Sequence, residues 1–221
     1  MATRVGVVLS GCGVFDGSEI HEAVSVLVAL DRRGAKAVCA APNVPLATIN
    51  HLSGQPSGPT RNVLEESARI ARGKVRDLST LQAGEIDALV FPGGFGAAKN
   101  LCDFASAGAK AKVQPDVARL LRDCHAAGKP IGLACIAPVL AAAVFGYDGR
   151  RPRLTIGTDA ATADAITQMG GQHVTTGPTD ICVDETNRLV TTPCYMNDVG
   201  PATVFEGADK MVDAVLKMVR R

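Results

Sequence analysis

The sequence contains no tryptophan, and aromatic residues make up only 4% of its 221 positions. Stacking platforms for nucleic-acid bases have little to be built from. An excess of charge is also missing: 23 Lys and Arg against 22 Asp and Glu leave a net charge of +1. Such a chain offers no electrostatic footing to a phosphate backbone or an anionic membrane surface. No apolar run approaches the ~20 residues of a membrane-spanning helix. The seven cysteines are scattered, with no Cys-x-x-Cys pair, which fits free thiols in a reducing compartment better than a disulfide framework. No H-x-x-x-H motif occurs, and the adjacent Cys124 and His125 diverge on a helix, so no metal site is expected. The glycine-rich turns match neither a Walker loop nor a complete G-x-G-x-x-G, so no nucleotide cofactor is expected either. Nothing ahead of the apolar run at Val5 reads as a signal or transit segment. The cytoplasm is the expected location, with a mature organelle form left open.

What is present is an ordinary globular composition, 47% hydrophobic and 20% charged. Apolar runs at Val5–Ser10, Lys36–Ala41, Ile86–Phe91 and Ile131–Ala134 read as strands, the first near-continuous as expected of a strand covered on both faces. Shorter candidates lie at Leu154–Ile156, Ile181–Val183 and Leu189–Thr192. Between them fall helical patterns. The first runs to Arg33, capped by Asp16 or Ser18 and closed by Gly34, with Ile20, Ala23, Val24, Leu27, Val28 and Leu30 as its apolar stripe. Others cover Arg61–Arg72, Ala97–Asn100, Asp116–Ala127, Ala137–Phe145, Thr162–Met169 and Ala202–Arg220. The alternation predicts an α/β fold: a doubly wound, mostly parallel sheet with helices on both faces. Residues 1–221 read as one domain, with a proline-rich embellishment around 42–75 that includes a short strand near Leu46–Ile49.

In such sheets ligands bind beyond the carboxyl ends of strands. Three loops meet that condition: Gly11–Gly17, Pro92–Gly96 and the turn at Cys135. A cysteine between a strand end and a helix start, with Pro138 in the first helical turn, has the layout of a nucleophile elbow. The following helix N-terminus is expected to favour its thiolate. The plain alternative is a buried core cysteine. The N–H groups of Ile136 and Gly94 are the candidates for holding a developing oxyanion. Glu19 and Glu22, three apart and early in the first helix, are the candidate acid/base groups. His21, His51, His125 and His173 lack a spacing that pairs them with Cys135. Cys12 lies at the ligand edge and reads as a bystander.

The stretches Gly11–Ala23, Phe91–Leu101 and Cys135–Pro138 resemble the motifs of the enhancing-lycopene-biosynthesis (isoprenoid biosynthesis) proteins. So do Arg61–Leu64, Leu154–Thr158 and Thr191–Pro193. That family sits in the class I glutamine amidotransferase-like, PfpI-like superfamily. The resemblance implies a flavodoxin-like fold, and a glutathione-independent glyoxalase that turns glyoxal into glycolate. It carries the elbow cysteine onto Cys135 and the oxyanion glycine onto Gly94. It selects Glu22 as the helix glutamate by spacing to Gly34, with Glu19 second. It also implies a homodimer. Ile136 departs from the histidine that many PfpI-like relatives carry, so a glutaminase triad is not expected. The rival expectation is a regulatory or redox-sensing protein that uses an oxidisable Cys135.

Overall fold

The computed structural model describes residues 2–219. Its first half runs β1 (Arg4–Val8), α1 (Ile20–Arg32), β2 (Lys36–Ala41), β3 (Pro45–Leu46), β4 (Arg61–Asn62), α2 (Val63–Ile70), β5 (Val75–Asp77), β6 (Ala88–Phe91), α3 (Phe95–Lys99), α4 (Phe104–Ala107) and α5 (Pro115–Ala126). The second half adds β7 (Ile131–Ala134), α6 (Pro138–Ala141), β8 (Arg153–Leu154), α7 (Ala160–Gln168), β9 (Gln172–His173), β10 (Cys182–Asp184), β11 (Leu189–Thr192) and α8 (Pro201–Val219). Seven strands form one sheet in the order β10-β11-β7-β6-β1-β2-β5, parallel except for β10. Taken from β2 to β11, this is the flavodoxin-like order 2-1-3-4-5, with one strand added at each edge.

The pleat sorts side chains into two cores. Leu89 and Phe91 join Ile131, Leu133, Leu120 and Phe145 on one face. Ala88 and Val90 join Val5, Val7, Met211 and Val215 on the other. Both faces are covered by helices, so the strands read as unbroken apolar runs.

Helix α1 differs from its expected register. Ala23, Val26, Ala29 and Leu30 are buried, whereas Ile20, Val24 and Val28 of the expected stripe face outward. The helix is apolar nearly all round, so spacing alone does not choose the inner face. Its cap also differs. Glu19 is the N-cap, its carboxylate accepting the Glu22 N–H at 2.7 Å. The expected caps do other work: Ser18 Oγ accepts the Ser10 N–H, and Asp16 accepts the Ile49 N–H. Gly34 follows the helix with φ 66°, the left-handed conformation of a C′ glycine. Just before it, Arg33 makes a two-pronged contact with Asp209 (2.6 and 2.8 Å) that ties α1 to α8.

Within 42–75, the strand expected near Leu46–Ile49 is the two-residue β3, paired with β4, so Arg61 and Asn62 precede α2 rather than starting it. Asn62 caps α2 by accepting from Leu64 and Glu65. Val75–Asp77 was not expected as a strand. It joins the main sheet beside β2, and a three-residue edge strand in which only Val75 is apolar is too short to show a periodicity. The pair β8–β9 lies outside the main sheet. The helix expected over Ala137–Phe145 is one α turn continued by a π turn from Ala142 to Gly146. In the closing helix, expected to reach Arg220, that last residue lies outside the described residues. No helix among the described residues is long and apolar enough to cross a membrane.

Candidate active site

Strand β7 ends at Ala134, yet the Cys135 N–H still donates to the Thr192 carbonyl at 2.9 Å. The chain then turns sharply, with Cys135 at φ 59°, a left-handed conformation that costs a side-chain-bearing residue about 1–3 kcal/mol. Ala137 N–H closes the turn on the Ala134 carbonyl, and Pro138 starts α6. This is the strand–turn–helix elbow expected from the sequence, and Cys135 borders a cavity there.

Three further elements converge on it at the sheet's carboxyl edge. From α1, Glu22 is fully buried. Its Oε2 accepts the Gly93 N–H at 3.0 Å and its Oε1 accepts the Tyr195 N–H at 3.1 Å. The Cys135 thiol also donates to this carboxylate. From the β6–α3 turn, the Gly94 N–H points at the Cys135 sulfur. Gly93 packs so closely that a Cβ there would overlap the Cys135 Cβ and lie 2.5 Å from Glu22 Oε2. Gly94 takes φ 96° as the N-cap of α3, which begins two residues earlier than the expected Ala97. From the segment after β11 come Tyr195 and Cys194. Nothing in the local sequence marks Tyr195, whose contribution to the carboxylate is a backbone N–H.

Burial raises the Glu22 pKa to about 7; the Tyr195 N–H works against the rise, and the Glu19 charge adds to it. Burial likewise pushes the Cys135 thiol well above its ordinary range, helped by the Glu22 and Cys194 charges and opposed by the Gly94 N–H. The expectation of a thiolate stabilised by the next helix is therefore corrected. Removing water from the sulfur outweighs one short helical turn and a backbone N–H. The resting proton sits on sulfur and is directed at Glu22, so the carboxylate is placed to receive it as a base.

Glu19 does not share this position. It caps α1, and its other carboxylate oxygen lies 3.9 Å from His21 Nδ1, which is paired with the Tyr195 hydroxyl at 2.7 Å. Ile136 is half-buried in the elbow itself. The other histidines are engaged elsewhere. His51 bonds the Ile49 carbonyl and the Phe15 N–H, His125 stacks near Phe145, and the Ile156 N–H points at His173. Cys12 opens into a separate polar cavity of about 300 Å³ with Asp16, His51 and Arg61. Cys135 opens into a cavity of about 420 Å³ bounded by Glu19, Gly94, Ile136, Tyr195 and Met196, among others.

An elbow cysteine thus faces a helix glutamate at the carboxyl edge of a 2-1-3-4-5 parallel sheet, a flavodoxin-like α/β protein with a thiol–carboxylate site. No protein-family model matches the chain. The human glutamine amidotransferase-like class 1 domain-containing protein 3, mitochondrial, is 49% identical over 98% of this chain and 84% of its own length. The rat mitochondrial ES1 protein homolog is 47% identical over 97% of this chain and 84% of its own. Among solved structures, an isoprenoid biosynthesis protein with an amidotransferase-like domain from Ehrlichia chaffeensis superposes with a TM-score of 0.90. It is 35% identical, covering 97% of this chain and 99% of that one. Drosophila melanogaster DJ-1beta, 19% identical with a TM-score of 0.55, shares the fold over 100% of this chain and 97% of its own. The chain belongs to the ES1 family of amidotransferase-like proteins.

Proposed function

We propose that the chain is a cofactor-independent enzyme acting on small reactive carbonyl compounds, in the manner of a glutathione-independent glyoxalase. The observation that supports this is the buried thiol–carboxylate pair at a strained elbow, open to a cavity. As the Cys135 sulfur bonds to the aldehyde carbon of a 2-oxoaldehyde, its proton passes to Glu22. The carbonyl π electrons move to oxygen, which the Ile136 and Gly94 N–H groups stabilise. Glu22 returns that proton to the oxygen, giving a hemithioacetal. The carboxylate next takes the C1 hydrogen as a proton, giving an enediolate, and delivers it to C2 while the proton on the C1 oxygen passes to the C2 oxygen, leaving a 2-hydroxy thioester. Water cleaves the thioester to the 2-hydroxy acid and restores the thiol. For glyoxal the product is glycolate. A carboxyl titrating near neutrality suits both halves of this shuttle.

A glutaminase reading has no histidine to work with at Ile136. The redox-sensor reading calls for an exposed, acidic thiol, whereas Cys135 is 7% exposed and its pKa is raised. The seven free cysteines suit a reducing compartment, the cytoplasm or the interior of an organelle such as the one for which the relatives are named. A homodimer is supported by Ile20, Val24 and Val28, which expose one apolar row along α1. The decisive test supplies 2-oxoaldehydes to wild-type and Cys135→Ala protein and measures hydroxy acid. Production by wild type alone is expected, with a Cys135 adduct visible by intact mass. Equal rates from the two proteins remove Cys135 from the mechanism.

A further inference from the structure

The cavity in front of Cys135 does not have the dimensions or the lining of a site for a two-carbon dialdehyde. Its volume is about 420 Å³, against ~30 Å³ for one water molecule, and glyoxal occupies the space of only a few waters. Its walls carry Phe95, Phe104, Ile136 and Met196, and its polar side is formed by Glu19, Asp159 and Tyr195. Phe95 is 49% exposed, so an aromatic face stands at the mouth. Beyond the reacting atoms, a small polar substrate would leave these walls wetted and would gain nothing from them.

The polar side carries a second message. No lysine or arginine lines the cavity, and two carboxylates do. Both are held in place by helix ends. Glu19 accepts the Glu22 N–H, and Asp159 accepts the Thr162 N–H at 2.8 Å as the cap of α7. The Thr162 hydroxyl and N–H hold Asp159 below the usual carboxylate range. An anionic substrate such as a 2-oxo acid would meet two fixed negative charges in a site partly screened from water.

From this lining we infer that the substrate is an uncharged 2-oxoaldehyde with an aryl or branched alkyl group on its ketone carbon, whose apolar part fills the space between Phe104, Ile136 and Met196. The inference rests on the carbonyl-enzyme reading of Cys135 and extends it to a substrate class. It also accounts for product departure. The 2-hydroxy acid carries a charge that the substrate lacks, and Glu19 and Asp159 repel it. Apolar contacts in such pockets are worth roughly tenfold or more in kcat/KM per methylene-sized group.

Phenylglyoxal and glyoxal, assayed in parallel as hydroxy-acid formation, test this. The expected kcat/KM for phenylglyoxal is at least about tenfold that for glyoxal. Met196→Gln and Phe104→Asn should each lower that ratio about fivefold or more, and the ratio is insensitive to partial loss of folded protein. Turnover of glyoxal with no preference for phenylglyoxal overturns the inference and leaves the hemithioacetal reading intact. If neither compound is turned over, the carbonyl-enzyme reading fails, and binding to Cys135→Ala protein decides the lining argument. By calorimetry, 1-phenylpropane-1,2-dione should then bind at least about tenfold tighter than butane-2,3-dione, and tighter than phenylglyoxylate. Equal or undetectable binding overturns it.

Discussion

The Cys135 thiol and the Glu22 carboxylate share one buried hydrogen bond, although one sits at the end of β7 and the other in the first turn of α1. The bond exists because β1, β6 and β7 are neighbours in the sheet, so the loops leaving their carboxyl ends meet. The Glu22 charge helps to raise the thiol, whereas the thiol's hydrogen bond lowers the carboxyl, against a larger rise that burial causes.

Glu22→Gln should lower kcat by about 10²–10⁴, the range for losing a positioned acid/base, while leaving KM for the aldehyde nearly unchanged. Steady-state kinetics on purified protein read this out. A variant retaining full kcat would assign the proton transfer to another group. Glu19→Gln should cost little in kcat, because its carboxamide oxygen still accepts the Glu22 N–H and so retains the cap.

The buried carboxyl also makes stability depend on pH in a defined direction. Its pKa rises from 4.5 to about 7 on folding. The folded protein thus holds a proton between those values that the unfolded chain has released. Stability from this group is fully present below about pH 4.5 and is lost as pH climbs through about 7. The loss is on the order of 3 kcal/mol. Urea titrations at pH 5 and pH 8 should show it for wild type. In Glu22→Gln protein the same interval should be nearly flat; an unchanged slope would place the titration elsewhere.

Gly93→Ala is expected to damage the site more than its single methyl suggests. That methyl would meet the Cys135 Cβ and Glu22 Oε2 together, both fixed by backbone contacts. Overpacking of this kind costs about 1–3 kcal/mol, and the pair would be forced apart. Thermal melts and activity should both fall, and a variant with wild-type values would mean the two elements separate freely.

Val24→Glu puts a charge in the middle of the exposed Ile20–Val24–Val28 row. If that row is buried between two copies, sedimentation should show a dimer for wild type and a monomer for the variant, with each chain still folded by circular dichroism. A wild-type monomer, or a dimer untouched by the change, would assign the row no such role.

The strand–helix alternation, the parallel sheet and the elbow at Cys135 could all be read from the chain itself. Each rests on local chemistry: apolar runs long enough for two-sided burial, glycines where the backbone must turn back, and a proline in the turn that starts α6. Other features had no local signature. The β5 strand is an edge of three residues, and its partner lies at Cys39–Ala41. Which face of α1 is buried depends on α8, since the helix is apolar nearly all round. The choice between Glu19 and Glu22 turned on where the helix starts. With Glu19 as the cap, its carboxylate is spent on its own backbone, and Glu22, one turn on, points into the sheet edge.

Sequence alone determined that a cysteine stands at the ligand edge of a doubly wound sheet with a glutamate within reach. Tertiary structure decided the state of that pair. Burial is a property of everything packed around a group, and here it lifts both pKa values. The lining of the cavity was decided in the same way, because Phe95, Phe104, Asp159 and Met196 come from separate elements that meet only once the chain has folded.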